Sequence, residues 1–258
     1  MFVGQSMIDH SMMKLGKARA VHDPRTLQLA NYITPALLPP LPDQFDWSQN
    51  VASWPMMMND TIGDCTIAAA GHCIQEWTTD VGNPVILPDS TIVASYSAVS
   101  GYNPTTGQHD VGASELKVLN YWRQKGIGGH PIRAYAAVEP GNLDHIRDAV
   151  FIFGNCYIGL ALPISAQTQA IWSVPPGGAT GQGAPGSWGG HAVPVVAYDP
   201  QGLTVVTWGA LKRMTWTFWS AYCDEAYALL SDDFLTADKT PGGIDLVALQ
   251  QDLGEVTG

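Results

Sequence analysis

At 258 residues and 46% hydrophobic, the chain can bury a substantial core in one large domain or two closely packed lobes. Its formal net charge of -11, from 12 Lys and Arg against 23 Asp and Glu, argues against nucleic acid and anionic membrane as partners, since both need a basic footprint. No apolar run approaches the roughly 18 residues of a membrane span, and MFVGQSMIDHSMMKLGKARA lacks the features of a secretory signal, so a cytoplasmic location is expected.

The first 40 or so residues hold Pro24, Pro35, Pro39 and Pro40 without a sustained period, and read as an N-terminal arm or short prosegment before a body spanning 41–258. Apolar spacing predicts a helix over 61–78, begun by Asp60 or Asp64, with Cys65 in its first turn. A second helix is expected over 113–127, stopped by Gly126, and a third between Asn142 and Gly154. From there the pattern changes: CYIGLALP, GHAVPVVAYDP and GLTVVTWGALKRMTWTFWSAYC are β-branched and aromatic runs that read as antiparallel strands and a hairpin. Between them, the Gly-rich stretch 174–190 reads as a flexible loop delivering the chain to His191. Helices first and strands later imply an α+β protein, with a helical lobe at about 41–140 and a β-rich lobe at about 141–240.

Cys65, Cys73, Cys156 and Cys223 are too few and too scattered for a disulfide framework, and no CxxC pair suggests a metal. A reducing compartment suits them, with Cys73, Cys156 and Cys223 as small apolar filling. Cys65 differs, because the free amides and dipole of a helix N-terminus favour thiolate over thiol, although Asp60 and Asp64 oppose it. By itself it is either a structural thiol or a nucleophile. Among seven histidines, His72 lies two turns along the same helix and is too far to serve Cys65, while His10, His22, His109, His130 and His145 sit in arm, loop or polar contexts. His191 opens an apolar strand behind two glycines, as a catalytic partner or as a satisfied core residue. The GxGxxG match at 181–186 follows no clear strand and opens no helix, and no GxSxG, HExxH or P-loop is present.

Taken in order, these stretches resemble papain-like cysteine peptidases over roughly residues 41–235. LPDQFDW is similar to the start of the mature domain, NDTIGDCTIAAAGH to the nucleophile helix, HDVGASELKVLNYWRQKGI to the Gly-Gly segment and its helix, GGHAVPVVAYD to the His-Ala-Val strand, and TWGALKRMTWTFW to the Asn-Ser-Trp-Gly hairpin. The resemblance implies a two-lobed fold with Cys65 in the helical lobe and His191 in the antiparallel β lobe. It implies hydrolysis of peptide or isopeptide amides of a peptide or protein substrate, with no cofactor and no metal. Cys65 would be the nucleophile, His191 its thiolate-imidazolium partner and Asn59 an oxyanion donor, with Gly112, Ala113, Gly190 and Trp208 along the substrate.

The sequence departs from that pattern at the residue that orients the histidine, where Val206 replaces an Asn, and at Thr66 and Ile62. Thr204 or Thr207 could substitute, but strand alternation counted from Val206 puts Thr207 on the opposite face. Val206 also keeps open a second reading, a papain-like binding or assembly module with little turnover.

Overall fold

The computed structural model describes residues 9–32 and 40–235; parts of the expected arm (1–8 and 33–39) and the end of the expected body (236–258) lie outside the described residues. In chain order come β1 (Leu27–Gln28), β2 (Phe45–Asp46), α1 (Cys65–Asp80), α2 (Asp89–Ser100), α3 (Glu115–Lys125), β3 (Ile132–Ala137), α4 (Leu143–Phe153), β4 (Cys156–Leu162), β5 (Ile171–Trp172), β6 (Gly189–Asp199), β7 (Gly202–Thr207), β8 (Ala210–Thr215), α5 (Trp216–Tyr222) and β9 (Cys223–Ser231). The class is α+β. The strands form one sheet in the order β1-β3-β9-β4-β6-β7-β8-β5, with β2 added to β6.

The helix ends follow local chemistry. Ser114 caps α3 by accepting the Lys117 amide, and Asn142 caps α4 by accepting that of His145. Gly126 and Gly154 end them with φ of 74° and 87°. Besides the two-residue strands β1, β2 and β5, three elements escaped the sequence reading: α2, whose apolar spacing is weak, β3 and β9. The stretch TWTFW, expected in the hairpin, instead forms α5, because the Thr215 hydroxyl accepts the Phe218 amide and starts a helical turn.

α1 is buried nearly all round, packed against β6 on one side and α2 and α3 on the other. Its Ala68–Gly71 run permits that closeness; a Cβ on Gly71 would stand 2.5 Å from the Met57 sulfur. Two hydrogen bonds tie the helix to its neighbours: Tyr157 Oη of β4 donates to the Thr66 carbonyl (2.8 Å) and Trp77 Nε1 to that of Phe153 at the end of α4 (2.7 Å). β4 and β6 are buried on both faces and pair in antiparallel register, with Leu160 opposite His191. The Gly-rich stretch before β6 is pinned where Tyr222 Oη donates to the Gly183 carbonyl at 2.7 Å.

Candidate active site

The helix carrying Cys65 begins four residues later than its apolar spacing suggests. Met57 and Met58 adopt positive φ, and the Thr61 and Ile62 amides both donate to the Met58 carbonyl, so the chain turns before it coils. Asp110 braces that turn, its Oδ1 accepting the Gly63 amide (2.9 Å) and the Tyr96 hydroxyl (2.7 Å). Asp64 is the N-cap through its carbonyl, which accepts from Ile67 and Ala68. Cys65 therefore opens α1, where amide N–H groups have no helical acceptor.

His191 meets it from β6. The amide of the next residue, Ala192, donates to Cys65 Sγ at 3.4 Å. The imidazole is buried, and the Trp208 ring stacks on it with centroids 4.5 Å apart. Trp208 and Gly209, at φ of 45° and 71°, form the two-residue turn between β7 and β8, the geometry of a tight hairpin, and this turn puts the indole over the histidine. On the ring, Nε2 lies 2.7 Å from Thr207 Oγ1, while Nδ1 has no hydrogen-bond partner among the described residues.

The Thr207 contact corrects the face assigned to it from alternation. Near its start β7 pairs with β6 as Leu203 with Tyr198 and Thr204 with Ala197, and continuing that register would set Val206 opposite Val195. An irregularity between Val195 and Ala197 shifts the pairing, so that Val205 faces Val195. Opposed residues of an antiparallel pair point to the same side, so the shift turns Thr207 to the His191 face and Val206 away from it. Thr204 is committed elsewhere, accepting from Arg213 Nη1.

The cleft is occupied by the arm. Ala113 donates its amide to the Gly16 carbonyl (2.8 Å) and accepts the Ala18 amide (2.9 Å), a parallel bridge centred on Lys17. Lys17 donates its amide to the Gly190 carbonyl (3.0 Å), and Lys14 uses its amide on the Asn59 carbonyl (3.3 Å) and its carbonyl on Trp208 Nε1 (3.2 Å). The fit leaves no room for side chains: a Cβ on Gly112 would stand 2.0 Å from the Gly16 carbonyl oxygen, and one on Gly190 2.2 Å from that of Lys17. Gly112, Ala113, Gly190 and Trp208 thus line one groove, with His10 stacked on Trp208 at 4.9 Å. Asn59 lines it through its backbone. Its side-chain amide is turned instead to Asp64 Oδ1 (3.1 Å) and the Ile62 carbonyl (3.4 Å).

Burial in the closed chain shifts both members of the pair toward their neutral forms. It pushes the Cys65 thiol up to about 12, against the opposing pull of the Ala192 and Gly16 amides, and lowers His191 to about 3. The lowered thiol pKa expected from a helix N-terminus, and with it a thiolate-imidazolium pair, is absent from this covered state because desolvation outweighs the dipole. Asp64 opposes the thiolate less than expected, since burial raises its carboxyl to about 8. His72 is accounted for structurally, its Nε2 2.9 Å from the Pro55 carbonyl. All four cysteines are free. Among the described residues no helix is long and apolar enough to cross a membrane, and no cluster of side chains has the makings of a metal site.

No protein-family profile and no curated protein matches the sequence. Solved structures do match the fold. Xylellain, a cysteine protease from Xylella fastidiosa, is 14% identical with a TM-score of 0.63, covering 89% of this chain and 99% of its own. The proCathepsin B S9 of Trypanosoma congolense is 11% identical (TM-score 0.58; 86% and 88% covered), and procathepsin L 3 of Tenebrio molitor larval midgut is 14% identical (TM-score 0.54; 84% and 76% covered). The fold is papain-like.

Proposed function

We propose that the chain is a papain-like cysteine peptidase that cleaves peptide or isopeptide amides, with Cys65 as nucleophile and His191 as proton carrier, and that its arm keeps the cleft closed until displaced. The observation that carries this reading is the state of the His191 ring. It is held at Nε2 by Thr207, covered by Trp208, bare at Nδ1, and followed in the chain by the amide that touches the Cys65 sulfur.

A ring that donates a hydrogen bond from Nε2 to the Thr207 hydroxyl keeps its Nδ1 lone pair free to take the thiol proton. Once the arm leaves and water enters, the helix amides and the partner imidazole both favour ionisation, and the Cys65 proton passes to His191. The thiolate adds to the scissile carbonyl, and the Cys65 amide receives the oxyanion charge, joined by Asn59 if its side chain swings from Asp64. His191 then protonates the leaving amine as the C–N bond breaks. Water, giving a proton to His191, attacks the thioester and releases the acid, and the proton returns to the thiol.

One feature favours the alternative of a binding module: burial raises the Cys65 thiol and lowers His191, which disfavours an ion pair in the closed chain. The two readings separate on Cys65 alkylation by iodoacetamide against pH, in chains whose arm is displaced, with and without His191→Ala. Rapid labelling well below the free-thiol value of about 8.5, lost with His191, together with cleavage of a denatured protein, is expected. Labelling that rises only near that value and ignores His191 would leave a binding module.

A further inference from the structure

We propose that the recess formed by Glu115, Gly159, Asp224 and Glu225 is the specificity pocket of the cleft, and that it selects a basic side chain, Lys or Arg, from a polypeptide paired with Ala113. The inference rests on the peptidase reading and names the substrate class of the same site.

The recess is filled by the arm's own Lys17. Its side chain is 1% exposed, with Nζ 3.0 Å from Asp224 Oδ1 and 2.9 Å from Glu225 Oε1. Glu225 is fixed by the Tyr227 hydroxyl, which donates to its other oxygen at 3.0 Å. Glu115 is fully buried, neither of its oxygens has a hydrogen-bond partner among the described residues, and burial pushes its carboxyl well above the ordinary range while the Lys17 ammonium pulls it back down. Asp224 forms the rim, about one-third open to solvent.

Two carboxylates within 3.0 Å of one ammonium, with the buried Glu115 carboxyl also acting on it, make a site that favours a cation. An apolar side chain there would leave buried carboxylates without a counter-charge, and an acidic one would add repulsion, so the recess discriminates by what it penalises as well as by what it holds. Gly159 creates the space: a Cβ there would stand 2.0 Å from Lys17 Cε and 2.7 Å from Glu225 Cγ. The backbone contacts of Ala113 and Gly190 are blind to sequence, so selection falls to this recess. Its position suits that role, because the Lys17 amide donates to the Gly190 carbonyl, next in sequence to His191, while its neighbours Gly16 and Ala18 pair with Ala113.

Two measurements on the full-length chain test this. The first is hydrogen exchange at the Lys17, Ala18 and Ala113 amides in the parent, Lys17→Arg and Lys17→Met, the last keeping length without charge. Arg is expected to hold the arm and Met to lose at least about tenfold in protection; equal protection with Met overturns the proposal. The second uses Gly16→Ala, which displaces the arm without touching the recess, reacted with peptidyl epoxides bearing Arg, Leu or Glu at the second residue from the electrophile. The Cys65 adduct is followed by mass spectrometry. Arg is expected to react fastest by about tenfold, with the advantage lost in Glu225→Gln; Leu as fast as Arg overturns the proposal. Adduct formation does not require turnover. Arg-selective labelling without hydrolysis would therefore defeat the peptidase reading while sustaining the pocket, and hydrolysis without basic preference would do the reverse.

Discussion

Thr207 Oγ1 sits 2.7 Å from His191 Nε2, and both belong to strands that a single irregularity in pairing brings to one face. The hydroxyl holds Nε2 of a buried imidazole whose Nδ1 has no hydrogen-bond partner among the described residues.

Removing that hydroxyl is expected to cost catalysis more than fold. Thr207→Val keeps the β-branched shape, but leaves Nε2 buried without a partner and the ring free to change tautomer. With the arm displaced, kcat/KM for peptide hydrolysis should fall by about ten- to a hundredfold, and Thr207→Ser should restore most of it. An unchanged kcat/KM in Thr207→Val would remove Thr207 from the mechanism.

The arm is held against a glycine surface, which makes it easy to dislodge. A Cβ on Gly16 would lie 1.7 Å from the Gly63 carbonyl oxygen, a clash with backbone that neither side can relieve by a rotamer change. Gly16→Ala is expected to open the cleft and raise the rate of Cys65 alkylation at neutral pH by about tenfold or more, as the desolvation that neutralises the thiol is lifted. Equal labelling rates in the two chains would show that the arm does not control access.

Asp64 gives stability a pH dependence of known sign. Burial raises its carboxyl from the ordinary 3.8 to about 8, so between those values the folded chain retains a proton that the unfolded chain has lost. Its contribution is therefore complete below the unfolded value and is lost as pH rises toward 8. Asp64→Asn keeps an oxygen for the Asn59 amide and cannot ionise. Urea unfolding at about pH 5 and about pH 8 should show the parent losing more stability than the variant, by an amount of the order of a few kcal/mol. Parallel losses would mean that Asp64 ionises normally.

The hydrogen bond from Tyr157 to the Thr66 carbonyl anchors the first turn of α1, and so the height of Cys65 above the sheet. Tyr157→Phe should lower stability by about 1 to 2 kcal/mol, read from the urea midpoint at unchanged slope. A midpoint within error of the parent would show the carbonyl to be satisfied another way.

What the sequence determined by itself was carried by local pattern. Cys65 ahead of TIAAAGH, Gly126 as a helix stop, Asn142 as a helix start, and the apolar run after His191 each write their conformation within a few residues. Hence the α+β class, three of the five helices, the strands bearing the site and the order of nucleophile and histidine were legible. The tertiary structure decided what depends on pairing across the chain. A register shift at Val195 turned Thr207 rather than Val206 toward the imidazole, and parity counted along one strand cannot detect a shift set by its neighbour. Lys17 and Asp224 meet across 207 positions of sequence. No periodicity in MMKLGKARA announces that Gly16 will close over Cys65, or that its lysine will enter an acidic recess. The ionisation of the site belongs to the same level, because the local helix dipole favours a thiolate, whereas burial in the folded chain favours the thiol and is the larger of the two effects.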